Sequence, residues 1–249
     1  MKVLQYISIV VLTVVIFSAC KKDEQIAPVP GMAKIEFNHV VGASDLTFNS
    51  VVYTNSSAET FTISKLRYYV SNIQFTKDDN TVFVEPESYH LIDAKDENTD
   101  ELTISNVPDG NYTSITFMIG VDSTRNVSGA QTGALDPLND MFWDWNSGYI
   151  FFKMEGDCDQ AGSFIYHVGG YSGKYAAQRM VTVLFNGNKL TVAEGKIPQL
   201  LLHVDVASFF STPNTISIVD LTNSGSAGAT SSMLADQYAG MFAFDKIQN

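Results

Sequence analysis

The fold class is indicated most clearly by the stretch Arg179-Met180-Val181-Thr182-Val183-Leu184-Phe185-Asn186-Gly187-Asn188-Lys189-Leu190-Thr191-Val192. Two runs of mainly apolar and β-branched residues, 179–185 and 189–192, flank the dipeptide Asn186-Gly187. Because asparagine and glycine both tolerate positive φ, this dipeptide predicts the turn of a β-hairpin. The stretch therefore predicts two extended strands joined by a tight turn.

Similar runs continue in both directions from this stretch. We expect strands at 35–41, 61–75 (with a phase break near Ser64-Lys65), 81–84, 89–92, 112–119, 149–154, 163–168 and 200–206. Helix is scarce, with short helical turns predicted near 138–142 and 233–242. Short strands at fairly regular spacing favour a sandwich. The sequence thus predicts an all-β fold, a single antiparallel β-sandwich domain with short helical turns over residues 34–249.

The N-terminus carries an export signal. Lys2 precedes a mostly apolar run, 3–17, which is too short for a typical membrane-spanning helix, and small residues stand directly before Cys20. This pattern resembles the lipobox of bacterial lipoproteins, which implies cleavage before Cys20 and lipidation of that residue. We expect a lipoprotein signal peptide at 1–20 and a tether at 21–33, with the protein lipid-anchored to the outer membrane on its periplasmic or cell-surface side. The alternative is an ordinary signal peptide with a chance cysteine.

The charge balance narrows the classes of partner. Loss of Lys2 with the signal peptide reduces 15 basic side chains to 14, against 27 acidic ones, so the mature net charge is −13. Such an acidic chain is a poor partner for nucleic acid. After lipidation of Cys20 the only thiol left is Cys158, so no intrachain disulfide is expected.

Catalytic motifs of the common hydrolases are absent from the sequence, and the chain holds only four histidines. We therefore do not expect this chain to be an enzyme. The histidines are candidate metal ligands, because imidazole binds copper, zinc and nickel. His39 lies on the apolar face of its strand, His167 lies opposite the apolar face of its strand, and His203 is a third candidate. For each, a histidine that simply bonds to the backbone is the alternative.

Both tryptophans of the chain, Trp143 and Trp145, lie within the segment 141–150. In a strand, residues two apart share a face, so the two indoles are predicted on one face with Asp144 on the other. Indole is bulky and easily oxidised. The pair is therefore either a large filler of the core or a prepared chemical site.

The residues around the tryptophans resemble the MbnP family. The central segment is Leu135-Asp136-Pro137-Leu138-Asn139-Asp140-Met141-Phe142-Trp143-Asp144-Trp145-Asn146-Ser147-Gly148-Tyr149-Ile150-Phe151, preceded by Gly120-Val121-Asp122. Tyr166-His167-Val168-Gly169-Gly170 resembles the family's His-Leu-Gly motif, and 66–73 resembles an early family strand. The similarity extends over about 34–206.

The resemblance implies an exported copper-binding protein of copper homeostasis or acquisition, in a family associated with methanobactin operons. In the family, the first tryptophan of the Trp-x-Trp motif is oxidised to kynurenine by a partner diheme cytochrome c peroxidase-like protein, and the product helps to bind one Cu(I) ion. Carried over, Trp143 is the modified residue, Trp145 completes the motif, and His167 is the motif histidine. Ring opening would give an aniline nitrogen and a ketone, and Cu(I) accepts few nitrogen or sulfur ligands.

The sequence departs from the family pattern at one ligand. Many members carry an Asn-His pair where this chain has Arg125-Asn126-Val127-Ser128. His39 is the first candidate substitute and His203 the second, with Cys158 or Met154 as soft alternatives.

Three other interpretations stay open. The family fold could be kept with its copper site lost. The chain could be a surface lipoprotein that binds glycans, because sugars stack on exposed aromatic rings. Trp143 and Trp145 could simply fill the core.

Overall fold

The computed structural model describes residues 30–129, 131–145 and 148–249. The predicted signal peptide, Cys20 and residues 21–29 of the tether lie outside the described residues, as do Ala130, Asn146 and Ser147. The first strand begins at Gly31, before the domain start at 34 expected from the sequence.

The described chain is built mainly of strands. In the first half they are β1 (Gly31–Val41), β2 (Ser44–Asp45), β3 (Tyr53–Thr54), β4 (Thr60–Lys77), β5 (Val82–Val84), β6 (Tyr89–Asp93), β7 (Glu101–Val107) and β8 (Gly110–Ile119). In the second half they are β9 (Phe142–Trp143), β10 (Gly148–Cys158), β11 (Gly162–Gly169), β12 (Arg179–Leu184), β13 (Leu190–Val192), β14 (Gln199–Asp205), β15 (Asn223–Ser224) and β16 (Phe242–Gln248).

The helices are short. They are α1 (Glu97–Asp100), α2 (Ser123–Asn126), α3 (Val206–Phe209) and α4 (Ala229–Ala239), with 3-10 turns at Gly133–Leu135, Pro137–Asn139 and Gly173–Tyr175. The helical turn expected at 138–142 is the single turn Pro137–Asn139, and the helix expected at 233–242 is α4, which ends before β16. Over the described residues, no helix has the length and apolar character needed to cross a membrane.

The strands form two sheets packed as a sandwich. The small sheet has the order β16-β14-β1-β2, with β7 also on β1. The large sheet has the order β12-β8-β4-β10-β11-β15, with β13 on β8, β9 on β10, and β3, β5 and β6 on β4. The all-β prediction is confirmed. The pairing is not wholly antiparallel, since β1 is parallel to β14 and β11 to β15. The long excursion through the large sheet makes β1–β14 possible, because parallel neighbours need a long crossover.

The turn at Asn186-Gly187 is present, with φ of 52° and 87°, but the predicted hairpin is wrong. Both β12 and β13 pair with β8, one after the other, so the chain continues in the same direction past the turn. Val183 and Leu190, on either side of it, are both buried. Both runs bury side chains in the same core. The Asn186-Gly187 turn is therefore a loop between two strands that follow one another along the same edge of β8.

Aromatic residues fill the space between the sheets. The Phe37 ring, from β1, lies 6.2 Å from those of Tyr68 and Phe117 in the large sheet, with near-perpendicular planes. Phe152 of β10 stacks at 5.3 Å on Phe209 of α3, which closes one end of the sandwich. Such aromatic pairs each add stability beyond their buried area. They also define the inner face of the large sheet.

The phase break predicted near Ser64-Lys65 is confirmed as a bulge in β4. Glu155 pairs with Lys65, whereas the next residue, Gly156, pairs with Ile63, so Ser64 is the extra residue. A bulge of this kind changes which side chains face inward along the strand. It places Lys65 on the outer face of the large sheet, beside Glu155.

Candidate copper site

The segment that carries the tryptophans folds back over the outer face of the large sheet. Strand β9 pairs with the start of β10, with Trp143 opposite Gly148. The Tyr149 hydroxyl donates to the Leu135 carbonyl at 2.6 Å, and Ile150 N donates to Met141 O at 2.9 Å. These bonds hold the segment against the sheet, so the tryptophans lie on the side opposite the aromatic core.

The Trp143 indole is buried, with 6% of its surface exposed, and it packs on Gly169 at the end of β11. A Cβ atom at Gly169 would lie 2.9 Å from Cζ3 of Trp143 and 2.5 Å from the Tyr149 carbonyl oxygen. Both distances are shorter than real Cβ contacts allow. A glycine inside a strand often marks such a close approach. Gly169 therefore makes the cradle in which the indole lies.

Trp145 has the opposite environment. Its ring lies 5.7 Å from the Trp143 ring, at an interplanar angle of 43°, and 66% of the residue is exposed. The two indoles are neighbours, but not through the strand alternation that was expected, because β9 ends at Trp143 and Trp145 lies in the turn that follows. Trp145 does not fill the core. Beside Trp143 lies a groove of about 300 Å³, lined also by Tyr171 and by Tyr175, which is 42% exposed.

His167 projects from the same face of β11 as the cradle. It lies two residues before Gly169, which along a strand is roughly 7 Å between Cα atoms. Its strand neighbours Tyr166 and Val168 are fully buried on the inner face, as the alternation predicts. The structure therefore brings Trp143 and His167 to one surface.

A carboxylate orients the His167 imidazole. Nε2 of His167 lies 2.8 Å from Oε1 of Glu155, and Nζ of Lys65 lies 3.3 Å from the same oxygen. Burial tends to raise the pKa of Glu155, but the hydrogen bond from His167 and the charge of Lys65 hold it below its usual value. An ionised carboxylate only accepts hydrogen bonds, so Nε2 carries the proton and Nδ1 keeps its lone pair. This is the arrangement that typically supports a metal-binding histidine.

A buried lysine adjoins His167 across the sheet. Lys153 pairs with His167, is only 2% exposed, and donates to the backbone carbonyl of Asp140 and to its Oδ2. Burial lowers the pKa of His167, the hydrogen bond to Glu155 opposes this, and the charge of Lys153 lowers it further. The net direction is downward, which keeps the imidazole neutral and able to act as a ligand near neutral pH.

His39 lies elsewhere, on the inner face of β1. It is 8% exposed, its Nε2 lies 2.9 Å from the Tyr68 hydroxyl, and its Nδ1 lies 3.6 Å from Oδ1 of Asp100. Burial lowers its pKa to about 4. Because Tyr68 belongs to the inner face of the large sheet, that sheet separates His39 from Trp143. The expectation that His39 completes one site with Trp143 does not agree with this geometry.

His203 is farther still from the tryptophans. It alternates with the buried Leu202 and Val204, so its side chain faces out from the small sheet. Its nearest ionic partner is Asp245, at 3.6 Å from Nε2. Both sheets lie between His203 and Trp143. The soft alternatives, Cys158 and Met154, are buried on the inner face of β10, so they do not reach the outer surface either.

A family model described as MbnP matches residues 30–231. The chain belongs to the MbnP family. Among solved structures, the chain is similar to MbnP from Methylosinus trichosporium, with a TM-score of 0.52 and 14% sequence identity over 80% of this chain and 83% of that one. At this identity the likeness supports the fold. No curated protein matches the chain significantly.

The structure explains why two residues of the MbnP-like motifs have the side chains that they have. In the stretch that resembles His-Leu-Gly, His167 faces the tryptophan surface and Gly169 is the cradle for Trp143. The cradle was not foreseen from the sequence, although a glycine at the end of an apolar strand was the available signal. Lys153 was also missed, because nothing in the sequence shows that Asp140 returns to cover it.

The departure from the MbnP pattern also lies near this surface. Asn126 is buried; its Nδ2 donates to the Val121 carbonyl at 2.6 Å and its Oδ1 accepts from Tyr149 N at 3.1 Å. Val127, the next residue in the stretch where the resemblance leads us to expect an Asn-His pair, is 66% exposed and lines a cavity that also includes Tyr171. Across 30–129, 131–145 and 148–249, no group of three or more His, Cys, Asp or Glu side chains is arranged to hold a metal.

Proposed function

We propose that this member of the MbnP family is an exported lipoprotein that binds one Cu(I) ion for copper homeostasis or acquisition. Its ligands are the His167 imidazole and a nitrogen formed when Trp143 is oxidised to kynurenine. The chain is not itself an enzyme in this proposal, since the oxidation is carried out by a partner diheme cytochrome c peroxidase-like protein.

The observation that carries the proposal is the shared surface of Trp143 and His167. The indole is held by the Gly169 cradle, while Glu155 accepts a hydrogen bond from Nε2 of His167 and leaves Nδ1 free to bind. A copper ligand needs a fixed orientation, and an outer carboxylate commonly supplies it. His167 has this support on the tryptophan surface, whereas His39 and His203 face other regions.

The donor set suits Cu(I) better than metals that need four ligands. Indole N–H has no usable lone pair, whereas the aniline nitrogen of kynurenine has one. Together with one imidazole this gives two nitrogen donors, which Cu(I) accepts because it tolerates low coordination. This chain has Val127, and no histidine, in the stretch where the family pattern has an Asn-His pair, so one expected ligand is absent. We therefore expect weaker copper binding than in members that keep the Asn-His pair.

The test is production of the chain together with a peroxidase from the same gene neighbourhood, followed by mass analysis and copper measurement. We expect residue 143 to show the tryptophan-to-kynurenine mass change and the purified protein to hold copper. Trp143→Phe and His167→Ala should each abolish copper uptake, and His203→Ala is the matched control that should leave it unchanged. Unmodified Trp143 without bound copper would refute the proposal, while kynurenine without copper would show that the fold is kept and the copper site lost.

The same chains test the proposed export. Acyl chains on Cys20 should appear in the mass of the mature protein, and Cys20→Ala should release it from the membrane fraction. A mature chain that begins elsewhere, without lipid, would contradict the lipoprotein assignment.

A glycan-binding surface lipoprotein is the second candidate, favoured by the exposure of Trp145 and Tyr175 beside one groove. Exposed aromatic faces are where sugars stack. A glycan array probed with wild-type protein and with Trp145→Ala decides this. Binding that Trp145→Ala abolishes would support it, and an array without signal would remove it.

A further inference from the structure

The two tryptophans differ sharply in access to a partner protein. Trp143, the residue that is oxidised in the proposed function, is 6% exposed, whereas its neighbour Trp145 is 66% exposed. A peroxidase keeps its haem inside its own fold, so its oxidising group must act from a distance. At this surface the exposed indole of Trp145 lies in near contact with the buried indole of Trp143.

We propose that Trp145 is the surface relay through which the partner's haem oxidises Trp143. The relay role rests on the proposed oxidation of Trp143 and adds a positioning residue to it. The ring centres are 5.7 Å apart, so the edges of two bicyclic indoles lie close to van der Waals contact. Electron transfer across such a gap is much faster than attack by a diffusing reagent, and Trp143 therefore reduces Trp145 before the exposed ring is consumed.

The electrons balance when the transfer is repeated four times. In each transfer, Trp145 gives one electron to the peroxide-oxidised haem of the partner, and Trp143 gives one electron to Trp145. Trp145 ends unchanged, the haem is reduced by one electron, and Trp143 loses one electron and one proton. Four transfers, with two oxygen atoms taken from water, give N-formylkynurenine, and hydrolysis then releases formate to leave kynurenine. The groove beside Trp143 admits the water that this chemistry consumes.

Tyr175 is the competing route. It is 42% exposed, lines the same groove as Trp143, and carries the other side chain type that is readily oxidised. Its ammonium neighbour, Nζ of Lys174, lies 4.6 Å from the ring centre and makes the loss of an electron from that ring less favourable. Trp145 has the direct ring contact with Trp143, and it is therefore the assigned relay.

The relay is tested first without the peroxidase, on the full mature chain. A ruthenium tris(bipyridine) sensitiser with persulfate serves as a one-electron oxidant that is too bulky to reach a buried indole. We expect Trp145→Phe to lose most of the oxidised residue-143 peptide found in the wild type, and Trp145→Tyr to recover part of it because tyrosine is itself redox-active. Tyr175→Phe, the control, should match the wild type.

A merely structural role for Trp145 is separated by the same series. If Trp145 only packed on Trp143, phenylalanine and tyrosine would behave alike, and this result would overturn the relay. Equal yields of oxidised residue 143 in wild type and Trp145→Phe would overturn it as well. Co-production with the peroxidase then separates the two proposals. Wild-type Trp143 that stays unmodified there refutes the proposed function, and the sensitiser results would then show only electron transfer from Trp143 to Trp145. Trp143 that the peroxidase oxidises equally in wild type and in Trp145→Phe overturns the relay and leaves the proposed function standing.

Discussion

Gly169→Ala is the substitution that tests the tryptophan cradle most sharply. The added methyl carbon would lie 2.5 Å from the Tyr149 carbonyl oxygen and 2.9 Å from a carbon of the Trp143 ring. The first contact is with backbone, so the strand or the indole must shift. Overpacking of this kind costs about 1–3 kcal/mol of unfolding free energy. Gly225→Ala is the matched control, because its added carbon meets nothing closer than 3.5 Å and its φ is not positive.

The assay uses urea unfolding together with fluorescence. Trp143 and Trp145 are the only tryptophans, so a Trp145→Phe background leaves Trp143 as the single indole reporter. In that background we expect Gly169→Ala to lose about 1–3 kcal/mol and to increase quenching of Trp143 by iodide. Gly225→Ala should change stability by no more than about 1 kcal/mol, in the stabilising direction. Equal stability and equal quenching in the two variants would refute the close contact between Trp143 and Gly169.

The remaining predictions concern charge and coordination. Val127→His supplies an imidazole near the proposed site and should tighten Cu(I) binding by about tenfold or more, which is roughly 1.4 kcal/mol, in competition with a Cu(I) chelator; unchanged affinity would contradict it. Lys153→Met removes a positive charge that faces His167, so the pKa of His167 should rise in an NMR titration, and a fall would count against the geometry. Burial, followed by the charges of nearby acidic residues, raises the pKa of Asp100 to about 7. The contribution of Asp100 to the unfolding free energy is therefore complete below the unfolded-state pKa of its carboxyl and is lost as the pH rises through about 7. Asp100→Asn should be more stable than the wild type at pH 8 by about 1 kcal/mol, after allowance for partial exposure, and by less at pH 5. Unfolding midpoints at the two pH values check this, and an equal difference at both would exclude the titration of Asp100 as the cause.

Local alternation predicted much of the fold. The runs around His39 and His167 assign each histidine to the correct face of its strand, and the phase break at Ser64 is a real bulge. These features depend on neighbouring residues only. The hairpin at Asn186-Gly187 failed because two residues fix the geometry of a turn, whereas the choice of partner strand depends on burial across the whole sheet.

The candidate site was only partly predictable for the same reason. Alternation places His39 toward the core, which already argues against a shared site with Trp143, but the outcome depends on which sheet each strand joins. The parallel pairing of β1 with β14 joins residues that are far apart in the sequence, such as Lys34 and Gln199, and no local pattern encodes it. The contacts of Gly169 with Trp143 and of Lys153 with Asp140 arise when the segment before β10 folds back over the sheet. Neither contact could be predicted from the sequence.

Crystals of the copper-loaded protein, purified with its peroxidase partner, provide the most direct measurement. An anomalous difference map at the copper absorption edge locates the metal independently of any spectroscopic interpretation. We predict one peak on the outer face of the large sheet, within bonding distance of the His167 imidazole and of the oxidised residue 143. A peak at His39 or His203, or copper-loaded protein with no peak at residue 143, would contradict it.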